Sequence, residues 1–501
     1  MDGTSFANLV HGFNVAMSFN GVFYCFIGVT LGTLVGVLPG IGPMATIAML
    51  MPITYHLEPT FALIMLAGIY YGAAYGGSIT SILLNLPGEA SSSVTALDGY
   101  PMARQGRAGV ALFITAIASF VGSIIGMILL AMFAKPLSDF AIEFSAPEYF
   151  ALMLLGLIAA TMVASEAPFR ALAMVVLGLV LGLVGVDLNS GQSRFTFGVP
   201  DFFDGLSLVS LAIGLFGLPE LFFNASSPNY AVSQGKGLTL RSMLPTRQDW
   251  KDSWAPILRG SGIGSFFGAL PGTGGVIASF MSYAVEKKVS RDPSRFGKGA
   301  IEGIASPEAA NNAAVQTAFI PALSLGVPSN AVMALMLGVM MIHGVAPGPN
   351  LINESPDMFW GLVVSFLVGN VLLVILNIPL IGTWVRVLSI PFSVLLPIII
   401  GLICVGVYSV SNSVIDVYVA IGFGLLGYMM RILRFEPAPL VLGFVLGPMM
   451  EENFRRAMVL SGGNFSQFLE RPISLSLLIC CLLVVGWTLF SALRRRMDLR
   501  K

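Results

Sequence analysis

Charge is scarce in this chain. Only 10% of its 501 residues are Asp, Glu, Lys or Arg, against about 25% in a soluble protein. Histidine is scarcer still: His11, His56 and His343 stand far apart, which argues against a histidine-built metal centre. Cys25, Cys404, Cys480 and Cys481 sit in apolar stretches without metal-ligand spacing and read as small core residues. No lysine or arginine precedes Arg104, so residues 1–20 lack the basic segment of a cleavable signal peptide. They are expected to form a short interfacial helix. ATP use is not expected, because the Gly-Lys pairs at 235–236 and 297–298 lack the glycine spacing and Ser/Thr of a phosphate-binding loop. Zero net charge without a basic patch gives no hold on nucleic acid.

What the chain has is apolar length. Hydrophobic residues make up 56% of it and mean hydropathy is +0.85. Runs such as 108–134 and 358–383 exceed the roughly 20 residues that span a bilayer. The expectation is an all-α polytopic membrane protein. Lys and Arg mark cytoplasmic loops. With four spans near 108–134, 145–165, 169–187 and 203–222, 21 of the 26 basic residues fall on one side, the C-terminal tail among them. Lys135, Arg194, Arg455, Arg456 and Arg471 fall on the other.

One pattern, G-x-x-x-G-x-L-P-G-x-G, occurs twice, in GTLVGVLPGIGP (32–43) and GSFFGALPGTGG (264–275), 232 positions apart. The second copy lies between the basic loops 236–259 and 287–298, so it reads as a helical hairpin dipping in from the cytoplasm on arms near 257–270 and 275–286. The first copy has no basic residue at either end and dips in from outside by the same logic. This predicts two inverted-topology repeats with re-entrant hairpins and interrupted helices, a pattern of secondary transporters. The expected organisation is an interfacial helix at 1–20, a first repeat at 21–222, a cytoplasmic linker at 223–255, and a second repeat at 256–452. A last span and basic cytoplasmic tail occupy 453–501.

Each Leu-Pro-Gly leaves backbone groups unpaired at membrane depth, tolerated only beside protein or water. Freed carbonyls suit a small cation such as sodium at the tips, and freed N–H groups at a helix start suit a carboxylate. The second tip reads Leu270-Pro271-Gly272-Thr273-Gly274. Polar side chains follow each hairpin: Ser78, Asn85, Glu89, Ser91 and Ser92 in one half, and Asn311, Asn312, Ser324, Ser329 and Asn330 in the other. Glu89, Glu302 and Glu308 suit helix caps or salt bridges as well as ion coupling. Asp98, Arg104 and Arg107 are expected to fix loop geometry. A membrane-embedded enzyme would need paired carboxylates or a nucleophile beside a base, and neither is visible, so no catalytic residue is assigned. A stand-alone carrier or a passive channel is the remaining alternative.

LPGIGP, IYYGAAYGGSITSILLNLPGEASS, LDGYPMARQGRAG, FGKGAIEGIASPEAANNAA and HGVAPGPNL closely resemble the large membrane subunit of tripartite tricarboxylate transporters, the TctA family, across nearly the whole chain. The resemblance implies a bacterial inner-membrane permease working with a small membrane subunit (TctB-like) and a periplasmic solute-binding protein (TctC-like). It also implies symport of a carboxylate, with sodium or protons as the coupling ion and no other cofactor. Carried over, the site positions are Pro39, Gly40, Gly42, Asn85, Pro87 and Gly88, with Pro271, Gly272, Gly274, Asn311, Asn312 and Pro328. Where the family usually has Pro-Gly-Ser, this chain has Pro328-Ser329-Asn330, which points away from citrate itself and leaves a carboxylate. Two opposed hairpins beside two interrupted helices suggest an elevator-like transport domain, with scaffold spans near 145–187 and 390–430.

Overall fold

Proline and glycine punctuate the chain into helices. The computed structural model describes residues 3–38, 42–163, 168–187, 190–225, 240–270, 274–387 and 412–498, with scattered positions between 397 and 408. In the first half α1 (Gly3–Ala16) is followed by α2 (Phe19–Val37), α3 (Pro43–Thr54) and α4 (Pro59–Leu84). Proline opens both α3 and α4, where its missing N–H costs nothing. After a 3₁₀ turn at Ala90–Ser92 come α5 (Ser93–Met102), α6 (Ala108–Ala141), α7 (Ala146–Val163) and α8 (Pro168–Gly182). A short antiparallel pair, β1 (Gly185–Val186) and β2 (Ser193–Arg194), precedes α9 (Leu208–Ala212) and α10 (Leu218–Ala225).

The second half opens with α11 (Leu240–Met243), α12 (Arg247–Ala269) and α13 (Gly274–Val289). Then follow α14 (Glu302–Thr317), α15 (Phe319–Leu325), α16 (Ala331–Ile342), α17 (Leu351–Glu354) and α18 (Pro356–Asn377). Longer C-terminal helices occupy Val414–Ile432, Ala438–Leu460 and Pro472–Asp498. Among the described residues, five helical stretches are long and apolar enough to cross a bilayer: Phe19–Val37, Pro59–Leu84, Ala90–Ala141, Pro356–Asn377 and Val414–Ile432. This is a multi-pass, almost wholly helical membrane protein.

The two glycine patterns pack alike. Gly28, Gly32 and Gly36 of α2 lie against the backbone of Met65, Ile69 and Ala73 on α4. Gly260, Gly264 and Gly268 of α12 lie against Ser306, Ala310 and Ala314 on α14. Each pair of glycines, such as Gly32 and Gly264, is again 232 positions apart. A β-carbon at any of the six would come within about 2.5 Å of a backbone carbonyl, so the helices touch backbone to backbone.

One boundary differs from the sequence reading. The arm expected near 257 begins at Arg247, because Thr246 and Asp249 form a reciprocal cap and start the helix there. Residues 247–255 therefore belong to α12. At 23 residues α12 measures about 35 Å. The linker residues 226–239 and much of the scaffold stretch 388–411 lie outside the described residues. The N-terminal helix docks along α18, with Gly12 against Trp360 and His11 Nδ1 3.0 Å from Asp357.

The five basic residues that fall on the other side are all ion-paired. Lys135 pairs with Asp139 and Arg456 with Glu452, both at 3.1 Å, and Arg471 pairs with buried Glu148. Arg194 and Arg455 share Asp187 and Glu451, tying the β1–β2 hairpin to the helix Ala438–Leu460.

Candidate functional site

Four helix starts meet at one cavity of about 450 Å³, that of the helix Ala438–Leu460 through Ala438 and Pro439. Gly42, Pro43 and Met44 bring the start of α3, Gly274 and Gly275 that of α13, and Asn330 and Ala331 that of α16. These are the residues just after each repeated Leu-Pro-Gly, together with the second interrupted helix. No side chain caps α3, and nothing lies within 4 Å of where a Gly42 β-carbon would stand. Gly274 turns the chain into α13 at φ +59, a conformation that glycine adopts without strain. Asn330 caps α16 by accepting from the Met333 N–H at 3.0 Å, and its amide donates to the Tyr70 hydroxyl at 3.2 Å.

The 3₁₀ turn and α14 complete the wall. Asn311 Nδ2 donates to a Glu89 carboxylate oxygen at 2.9 Å, and the Ser91 hydroxyl donates to the same oxygen. Glu89 also caps the turn, its own N–H donating to Ser92 Oγ at 3.3 Å. Gly275 lets α13 approach: a β-carbon there would stand 2.3 Å from Asn311 Oδ1. Tyr70 and Glu436 also line the cavity, with apolar contacts from Val276, Ile277 and Leu442. Among the described residues no Lys or Arg lines it. Positive potential therefore comes from the helix starts, about half a charge each, and negative potential from Glu89 and Glu436. Such a wall can hold an anion through N–H groups without a fixed cationic side chain.

Of the expected site residues, Gly42, Gly274, Asn311 and Asn330 come together here. Pro39, Gly40, Pro271, Gly272 and Thr273 lie outside the described residues. The others are placed elsewhere. Asn85 ends α4 in the left-handed region at φ 57 and is exposed, as is Pro87. Gly88 lets its loop press on α2, where a β-carbon would stand 2.1 Å from the Gly36 carbonyl. The Ser78 hydroxyl donates back to the Tyr75 carbonyl at 2.8 Å. Pro328 and Ser329 are buried in the break between α15 and α16, where the Ser329 hydroxyl reaches the Ala318 carbonyl at 3.4 Å. Asn312 turns away from the cavity, its amide donating to Ser119 Oγ at 2.8 Å. Sequence reasoning missed Tyr70 and Glu436. Tyr70 is hidden among apolar neighbours, and the one signal for Glu436 is its place just before a proline-opened helix start.

Asp98 and Arg107 act on loops, as expected. Buried Asp98 accepts from the N–H groups of Gly297, Gly299 and Ala300, each at 2.8 Å, and from the Tyr283 hydroxyl at 3.0 Å. It clasps the second basic loop to the first half of the chain. Arg107 pairs with Asp249 at the start of α12, and Glu302 pairs with Arg295 at 3.1 Å. Burial opposes ionisation of Asp249, but hydrogen bonds from Thr246 and Arg107 hold its carboxyl below the usual range.

Known proteins include relatives of this chain. The chain is 50% identical over 495 residues, 98% of both chains, to an uncharacterized 52.8 kDa protein in the TAR-I ttuC' 3' region of Agrobacterium vitis. It is 51% identical over 235 residues to an uncharacterized protein in the TAR-II ttuC' 3' region of that organism, covering 47% of this chain and 97% of the other. No solved structure matches. The model of the tripartite tricarboxylate transporter TctA family matches residues 22–442. The chain belongs to the tripartite tricarboxylate transporter TctA family.

Proposed function

We propose that this chain is the permease of a binding-protein-dependent secondary transporter that imports a carboxylate down a sodium or proton gradient. The observation that carries the reading is the convergence of α3, α13 and α16 on one cavity without a cationic side chain. Helix starts turn backbone N–H groups toward the cavity, which suits a small organic carboxylate. Its partners are a small membrane subunit and a periplasmic binding protein, and it sits in a bacterial inner membrane with its C-terminus in the cytoplasm. Delivery by a binding protein relieves the permease of the need to bind tightly. In proteoliposomes the permease with its small subunit is expected to take up carboxylate poorly, and the matching binding protein to restore uptake at least about tenfold. A one-unit pKd difference in substrate capture, about 1.4 kcal/mol, suffices for that. Equal uptake with and without the binding protein would make the chain a stand-alone carrier.

The halves are read as inverted repeats forming an elevator-like transport domain. Supporting this are the matched glycine seams on α4 and α14 and the arrival of both hairpins' second arms at one cavity. A second group supports a scaffold: α7 and α8 pack on the helix Ala438–Leu460, whose first turns also reach the cavity, and α7 packs on Pro472–Asp498 as well. Single cysteines placed in 55–59 and in 287–298 are expected to label from the periplasm and the cytoplasm respectively. Labelling of both from one face would remove the inversion and the elevator with it.

A further inference from the structure

The α6–α14 seam holds a second polar group that the cavity does not use. Glu308, Asn312 and Gln316 recur every four residues on α14 and so share one face. That face meets α6 closely: a β-carbon at Gly122 would stand 2.2 Å from the Ala309 carbonyl, and one at Gly126 2.8 Å from that of Ala313. Glu308, 1% exposed, accepts from the Thr95 hydroxyl on one oxygen and from the Ser119 hydroxyl on the other at 3.3 Å. Among the described residues no cation pairs with it. Asn312 spends its amide N–H on Ser119 and on the Glu308 carbonyl, which leaves its Oδ1 without a donor. Gln316 is fully buried with neither side-chain atom partnered. Long helical side chains lean toward the preceding turn, so Gln316 leans toward Asn312.

Buried amide oxygens without donors are rare and call for a ligand. A proton on Glu308 would neutralise the carboxylate and leave both amides as they are. A buried water would serve the amides and leave a lone charge in an apolar seam. A hard monovalent cation meets both needs, because carboxylate, amide and hydroxyl oxygens are its preferred donors and one carboxylate balances its charge. We infer that Glu308, Asn312 and Gln316, with the Ser119 hydroxyl, form a binding site for a sodium ion. The site rests on the transporter reading above and gives its coupling ion a place. Asn311, next along α14, reaches Glu89 at the cavity, so an ion that steadies this stretch of α14 also steadies the cavity wall.

The test is sodium-specific stabilisation of the purified full chain in detergent, without carboxylate, at constant ionic strength. Sodium chloride is expected to raise the unfolding temperature saturably over potassium chloride, and Glu308→Gln to abolish the difference. Gln316→Leu removes two unpartnered polar atoms and should keep the fold, while raising the sodium concentration for half-maximal stabilisation about tenfold. It decides the matter if Glu308→Gln does not fold. Equal effects of sodium and potassium on the wild type, or an unchanged sodium response in Gln316→Leu, overturn the site. Carboxylate uptake without sodium-specific stabilisation would remove the site and leave the transporter. Sodium-specific stabilisation in a chain that transports no carboxylate would keep the site and remove the transporter.

Discussion

Replacing Gly275 by valine is expected to abolish carboxylate uptake while the protein stays in the membrane at wild-type amount. The position lies on the cavity wall, and its missing side chain is what lets α13 reach Asn311. A β-carbon 2.3 Å from Asn311 Oδ1 cannot be accommodated without moving the amide. Moving it breaks the 2.9 Å bond to Glu89, a loss of about 1–3 kcal/mol for a buried polar contact. Overpacking adds about as much again, so a fall of at least a hundredfold is expected. Backbone strain plays no part, since Gly275 is not among the residues with positive φ. Gly275→Ala should also impair uptake, and much less so in an Asn311→Ala background, because both changes act on one contact. Initial uptake rates at matched expression measure this. Independent, additive losses would mean that Gly275 acts on something other than Asn311.

Asp98→Ala is expected to remove the protein from the membrane rather than slow it. The buried carboxylate accepts from three loop N–H groups and the Tyr283 hydroxyl. The Ala300 N–H is buried and the other donors partly so. A buried donor left without an acceptor costs about 1–3 kcal/mol, a sizeable share of a typical domain's stability of about 5–15 kcal/mol. Gly297 and Gly299, at φ +81 and +102, bend the loop around this one side chain, and nothing else in it can replace the acceptor. Asp98→Asn keeps one carbonyl oxygen and should lose less. Monodisperse protein recovered by size exclusion at rising temperature is the readout. A wild-type profile for Asp98→Ala would show that the 290–300 loop is held by other contacts.

Much of this was legible in the sequence because glycine and proline act locally. The repeated Leu-Pro-Gly located the starts of α3 and α13, and with Asn311 and Asn330 it located four residues of the cavity. The acidic residues were harder. Glu89, Glu302 and Glu308 look alike in sequence, yet the first caps a turn, the second pairs with Arg295 and the third is buried against Thr95 and Ser119. Only packing separates them. Asn311 and Asn312 are adjacent, and about 100° of helical rotation sends one to the cavity and the other to the α6 seam. Tyr70 and Glu436 arrive from distant segments, and no local pattern foretells that meeting. The start of α12 was readable in principle, since Thr246 and Asp249 stand at the spacing of a capping box.

The central claim is that the cavity where α3, α13 and α16 begin holds the transported carboxylate. Substrate protection of a single cysteine tests it most directly. Val276 lines the cavity one residue beyond Gly275 and is 39% exposed, so Val276→Cys offers a reactive thiol there once the exposed Cys404 and Cys480 are replaced by serine. The rate of its alkylation by a small maleimide is to be followed in a variant that still transports. With the transported carboxylate present the rate should fall severalfold, and a non-transported anion of equal charge should leave it unchanged. Alkylation at the same rate with and without transported substrate, in protein whose uptake is intact, would contradict the account.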